Sequence, residues 1–137
     1  MLLINTGITR ESTKILKTID VDKSYQLLSM VDELENSIEN KDSEKFFKIF
    51  NEGWQKKKQT SQKIMDNSEL LELESYLTSS GMTSGIKLCG AGGGGYFFTF
   101  VDKQNFNKFK NYFRKKYKQN ALIKIEVENS GVLGRKI

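Results

Sequence analysis

The sequence Ile86-Lys87-Leu88-Cys89-Gly90-Ala91-Gly92-Gly93-Gly94-Gly95-Tyr96-Phe97-Phe98-Thr99-Phe100-Val101 decides how the rest of the chain is read. Two short apolar runs, the second rich in aromatics, flank a tip with no side chain larger than a methyl. Aromatic and β-branched runs favour strands, and the glycines between them signal a turn with unusual backbone angles. Ordering so many glycines is entropically costly, and a purely structural hairpin manages with a two-residue turn. A long bare loop suits backbone N–H groups that must approach something closely, and a phosphate is the usual candidate.

Gly90, Gly92 and Gly95 satisfy G-x-G-x-x-G, but the dinucleotide fingerprint requires a helix after the glycines. Here the strand-like run Tyr96 to Val101 follows. A P-loop needs Lys-Ser or Lys-Thr after the last glycine, and there is none. A protein-kinase loop does lie between strands, yet its His-Arg-Asp and Asp-Phe-Gly partners are missing from a chain without histidine.

Working outward, Leu2 to Thr6 reads as a strand, and Gly7 to Ser12 turns the chain, with Ser12 or Thr13 as a helix cap. A strand so close to the first residue gives the expectation that the chain is part of something longer. Leu27, Leu28, Val31, Leu34 and Ile38 form a helical stripe from Ser24 to about Asn40. Asp42 or Ser43 caps a second helix with Phe46, Phe47, Ile49, Phe50 and Trp54 inside. Its basic end, Lys56-Lys57-Lys58, suits the helix dipole. A third helix runs from about Ser68 to Ser79 and ends on Gly81. After the two strands, Asp102 opens a helix with Phe106, Phe109, Phe113 and Tyr117 on one face. Leu122 to Val127 alternates as a final strand, and Gly131 to Gly134 adds a short edge piece. The resulting order is the β-α-β-β-α-β plan of an α+β, ferredoxin-like sandwich, its first crossover expanded into several helices.

Length and composition set the bounds. The 137 residues support one domain, 1–137, with a modest core. One cysteine excludes a disulfide framework, and the lack of histidine removes histidine triads and most zinc sites. No apolar run reaches membrane-spanning length, so no membrane partner is expected and the cytoplasm is the default compartment. A net charge of +5 permits anionic partners. On the helix after Asp102 the rings share one face and the lysines occupy the others, which reads as a solvated basic face, so nucleic acid is not an expected partner.

Lys87-x-x-Gly90-Ala91-Gly92-Gly93-Gly94-Gly95 between two strands resembles the third motif of the GHMP family of small-molecule kinases, whose members include galactokinase, homoserine kinase and mevalonate kinase. Three further segments carry the likeness. Asn5 to Leu16 resembles the Thr-Gly-x-x-Arg-x-Ser/Thr segment of heptose kinases. Gly53-Trp54-Gln55-Lys56-Lys57-Lys58, with Ser61, resembles the Gly-Trp-x-x-Lys-Lys stretch of D-glycero-D-manno-heptose-7-phosphate kinases. Gly81 to Leu88 resembles their lead into the third motif, with Ile86 in place of a glycine.

The resemblance implies the C-terminal domain of a sugar kinase that uses ATP and Mg2+ to phosphorylate a hydroxyl of a sugar or sugar phosphate. The family's phosphate-binding loop, Pro-x-x-x-Gly-Leu-Gly-Ser-Ser, belongs to an N-terminal domain absent from this chain. That domain is therefore an expected partner, and the chain alone is expected to be inactive, with no catalytic residue or metal ligand of its own. Gly90, Ala91, Gly92, Gly93, Gly94 and Gly95 would support the triphosphate loop. Arg10, whose planar fork suits phosphate, Thr6, Lys57 and Lys87 are the candidate acceptor contacts, each with a structural reading beside the functional one. A different class of function is a stand-alone ferredoxin-like module that binds a ligand or RNA without catalysis.

Overall fold

The computed structural model describes residues 1–9 and 11–127. Gly131 to Gly134 and Arg10 therefore lie outside the described residues. Four strands, β1 (Leu2–Asn5), β2 (Thr83–Leu88), β3 (Tyr96–Val101) and β4 (Leu122–Lys124), form one antiparallel sheet in the order β2-β3-β1-β4. Between β1 and β2 come α1 (Ser12–Leu16), α2 (Val21–Tyr25), α3 (Ser29–Glu39), α4 (Ser43–Gln59) and α5 (Ser68–Ser79), and α6 (Phe106–Lys116) joins β3 to β4. The fold is α+β.

The period-2 pattern of the strands gives the sheet two apolar faces. Leu2, Ile4, Ile86, Leu88 and Phe97 point into the main core with Leu70, Leu73 and Leu77 of α5 and Phe109 and Phe113 of α6. Phe98 and Phe100 alternate to the other side, where Phe100 packs edge-on against Phe46, Phe47 and Phe50 of α4. Thr99, though polar, is fully buried, and its hydroxyl donates to the Gly85 carbonyl at 2.7 Å, where the β2–β3 register slips. A Cβ at Gly85 would lie 2.9 Å from the Phe50 ring, so the glycine lets α4 lie close along β2. The Asn51 side chain then donates to the Ser84 carbonyl at 3.0 Å and accepts from the Ile86 amide at 3.4 Å. It takes the place of a neighbouring strand on this edge.

Several elements follow local rules closely. Asn67 caps α5 by accepting from the amides of Glu69 and Leu70, and Gly81 follows the helix with φ +63°. Asp42 caps α4.

Four expectations need correction. Neither Ser12 nor Thr13 caps α1, whose N-cap is Glu11 without a side-chain bond. Asp102 makes no cap hydrogen bond, and a 3-10 turn over Lys103–Asn105 precedes α6. The strand expected over Leu122 to Val127 is formed over Leu122–Lys124, with the Ile125 amide still donating to the Met1 carbonyl at 3.0 Å. The helix expected from Ser24 to Asn40 is broken into α2 and α3, and its stripe is only half used: Leu27 and Leu34 face inward, while Leu28, Val31 and Ile38 are exposed.

Candidate functional site

The glycine tip is a loop folded back onto its own domain. Gly90, Gly92, Gly93, Gly94 and Gly95 all have positive φ, a region that L side chains enter only at a cost. Three isoleucines form the bed beneath it. A Cβ at Gly92 would stand 2.8 Å from the Cα of Ile64, one at Gly93 would strike the Cδ1 of Ile15, and one at Gly94 would strike the carbonyl oxygen of Ile8. The glycines are thus needed twice, for their dihedral angles and for the closeness of the bed.

Hydrogen bonds hold the loop down. The Gly93 amide donates to the Ile64 carbonyl at 2.8 Å, and the Gly95 amide to the Ile8 carbonyl at 3.0 Å. The Gly95 carbonyl in turn accepts from the amide and the hydroxyl of Thr6, at 2.9 and 3.0 Å. At the base of the hairpin the Cys89 amide donates to the Tyr96 carbonyl. Among the described residues, the amides of Gly90, Ala91, Gly92 and Gly94 have no protein acceptor.

The candidate acceptor contacts divide. Thr6 is buried, and its hydroxyl both donates to Gly95 and accepts from the Ile8 amide at 3.1 Å. It is a turn-closing residue that fixes the loop rather than a group aimed at solvent. Lys57 projects from the last turn of α4, and its ammonium donates to the Gly90 carbonyl at 2.5 Å, clasping the tip from outside. Lys87 lies on β2 with its ammonium 5.7 Å from the Phe50 ring centroid, and both lysines line a cavity of about 220 Å3 between α3 and α4. Lys57 and Lys87 are therefore brought together at this cavity, and Lys57 also reaches the glycine tip. Arg10, outside the described residues, follows the Ile8 turn in sequence.

Lys58 has a different task. It pairs with Glu74 at 2.9 Å, and the same carboxylate oxygen accepts from the Trp54 indole at 2.6 Å. Trp54 is 3% exposed and belongs to the core. The basic end of α4 thus does more than offset a dipole, since two of its lysines make long-range contacts.

Sequence reasoning missed Ile8, Ile15 and Ile64, because single isoleucines in a loop, a five-residue helix and a 3-10 turn carry no periodic signal. It also missed the polar lashing behind them. Thr18 and Ser61 share a hydroxyl bond at 2.7 Å, and the Asn5 side chain accepts from the Gly7 amide at 2.6 Å. On α6, Phe109 and Phe113 are fully buried, so they offer no surface on which a base could stack. Among the described residues, no group of three His, Cys, Asp or Glu side chains is placed to hold a metal ion, and no helix is long and apolar enough to cross a membrane.

The fold and site together define an α+β domain with a glycine-tipped hairpin, pinned from below by isoleucines and from the side by a lysine. No protein-family profile matches the chain, and no curated protein matches it.

Proposed function

We propose that the chain is the C-terminal domain of a GHMP-type sugar kinase, closest to those acting on heptose phosphates, and that its glycine tip backs the loop holding the ATP phosphates. The strand order β2-β3-β1-β4, with helices in the first crossover and one in the second, supports the ferredoxin-like plan of that domain. The observation that carries the reading is the tip itself. Within five residues of one loop, Gly90 to Gly94, lie four amides without a protein acceptor, and the Lys57 ammonium holds the Gly90 carbonyl of the same loop, on a backbone too bare to obstruct a neighbour.

Backbone amides and a nearby cation are what an oxyanion or a phosphate-gripping loop requires. Phosphoryl transfer is mostly positioning and charge stabilisation, so a rigid wall contributes without supplying a reacting group. ATP would lie with its phosphates toward the tip. The metal ligands and the phosphate cradle come from the N-terminal domain. Lys87, on the strand leading into the loop, has its ammonium over the Phe50 ring at the α3–α4 cavity, and its role in transfer is left open.

The test joins the chain to a GHMP N-terminal domain bearing Pro-x-x-x-Gly-Leu-Gly-Ser-Ser. Transfer from labelled ATP to D-glycero-D-manno-heptose 7-phosphate, and to a panel of simple sugars, is then measured. Ala91 lacks a positive φ, so Ala91→Asp introduces a charge without a backbone penalty. Because Ala91 is half-buried against the core, thermal unfolding and the KM for ATP are read beside turnover, with Ala91→Asn as the uncharged control. The expected result is transfer that falls at least about tenfold in Ala91→Asp, or about 1.4 kcal/mol of transition-state stabilisation. No transfer to any acceptor, or transfer indifferent to Ala91→Asp, refutes the reading.

A further inference from the structure

The helices α2 and α3 carry a surface that the phosphoryl-transfer reading does not use. Leu28, Val31 and Ile38 are 57 to 61% exposed, and Val21 and Tyr25 on α2 are exposed as well. Exposed apolar side chains that share one helix flank mark an interaction surface more often than isolated ones do. Leu28, Val31 and Ile38 recur at helical spacing, on the flank of α3 next to the Leu27, Met30 and Leu34 side that faces α4.

Beside this flank runs a row of carboxylates, Asp32, Glu35 and Glu39, again three and four residues apart. All three are exposed, and none pairs with a cation among the described residues. From Asp20 to Asn40 there are six carboxylates and one lysine, in a chain whose net charge is +5. This placement works against the helix. Glu35 and Glu39 repel at i,i+4, and both approach a C-terminus whose last turn holds no basic residue. A cationic partner reverses the sign of each of these effects.

The cavity between α3 and α4 opens on the same flank. Leu27, Met30, Val31, Leu34 and Phe50 give it apolar walls, and its volume of about 220 Å3 accepts one large aliphatic or aromatic side chain. Lys57 and Lys87 also line it, so a lysine or arginine is repelled from the cavity itself.

We propose that the α2–α3 surface binds a basic amphipathic helix of another protein segment, with an uncharged apolar residue inserted in the cavity and lysines or arginines along Asp32, Glu35 and Glu39. This is the helix-in-groove mode of recognition. A second copy of the chain is the poorer occupant, because two-fold pairing of α3 with itself sets this carboxylate row against its like. Nucleic acids and anionic lipid surfaces meet the same repulsion.

The probe is a fluorescein-labelled amphipathic peptide of about fourteen residues, leucine on one face and lysine on the other. Its counterpart carries glutamate for lysine. Anisotropy is read at about 50 and about 300 mM salt, since exposed pairs are screened within a Debye length. The lysine peptide is expected to bind with a Kd on the order of micromolar and more weakly at high salt. Binding is expected to fall at least about tenfold in the E35K/E39K double variant and in Val31→Asp, and the glutamate peptide should not bind. Thermal unfolding shows that each variant is folded, and the two act on independent features, so loss of one to misfolding leaves the other. Absence of binding, equal binding to the charge-reversed variant, or equal binding of the glutamate peptide overturns the proposal. Self-association of the chain that disappears in Val31→Asp also overturns it, and assigns the surface to a second copy.

Discussion

Replacing Gly93 by alanine, alone and together with Ile15→Val, tests whether the glycine tip is pressed onto its bed as described. At φ +71° an alanine pays a backbone penalty of about 1–2 kcal/mol. Its Cβ also runs into the Cδ1 of Ile15, while the next atom of that side chain, Cγ1, stands 3.6 Å away. Ile15→Val deletes the obstructing carbon and costs about 0.5–1.5 kcal/mol on its own. Once Cδ1 is gone the steric part of the Gly93→Ala penalty vanishes, so the double variant should be more stable than the sum of the singles by about 1 kcal/mol. Gly92→Ala supplies the contrast. Its Cβ meets the backbone Cα of Ile64 at 2.8 Å, where no side-chain truncation gives relief. It should cost about 3 kcal/mol or more and show no coupling to Ile15→Val. Gly81→Ala, with φ +63° and no atom within 4 Å, isolates the backbone penalty alone. Urea unfolding of the four single variants and the two doubles gives every term. Additivity of Gly93→Ala with Ile15→Val, within about 0.3 kcal/mol, would mean that the tip does not rest on Ile15.

Other expectations follow from particular contacts. Glu74→Ala strands the indole N–H of Trp54 and the ammonium of Lys58 in largely buried positions, and should cost about 3 kcal/mol by thermal or denaturant unfolding. Tyr117→Phe removes a buried hydroxyl that has no hydrogen-bond partner, so stability should hold or rise by up to about 1 kcal/mol. Burial raises the hydroxyl pKa of Tyr76 and of Tyr117, and the hydrogen bond to Glu72 raises that of the Lys116 ammonium. Groups raised in the folded state lend stability below their unfolded pKa and lose it as pH climbs through the folded one. The melting temperature should therefore decline above about pH 10, and less steeply in Tyr117→Phe.

How much the sequence reveals depends on how local the cause is. The α5 boundaries were legible because Ser68 to Ser79 carries a helical stripe and a glycine after its end. The hairpin was legible because strand-forming residues border the glycines on both sides. The break between α2 and α3 was not, since Tyr25 to Met30 contains neither proline nor glycine and Leu27-Leu28 continues the helical period. Across the break the backbone tightens to bonds three residues back, the Leu27 amide donating to the Ser24 carbonyl and the Leu28 amide to that of Tyr25. The start of α2 is fixed by Asp20, which accepts from the Lys23 amide and donates its own to the Thr60 carbonyl at 2.8 Å. Leu28, Val31 and Ile38 misled for a related reason. Periodicity reports an apolar face but not whether the domain itself covers it. In the candidate site, the glycines announced a close approach, yet nothing in the spacing named Ile8, Ile15 and Ile64 as what they approach. Thr6 was visible as a polar residue in a turn, and only the three-dimensional arrangement shows its hydroxyl already committed to Gly95 and Ile8.

The amide side chain of Asn51 has a consequence for how this domain behaves in company. A sheet margin normally advertises alternating donors and acceptors to any passing chain, which is how runaway stacking begins. By answering the Ser84 carbonyl and the Ile86 amide from a helix, Asn51 silences β2 at the centre of its length. Asn51→Leu should keep the helix and much of the packing, yet leave those two groups calling for a strand. Slow, concentration-dependent turbidity in a protein that still melts cooperatively would be the mark of that lost silence.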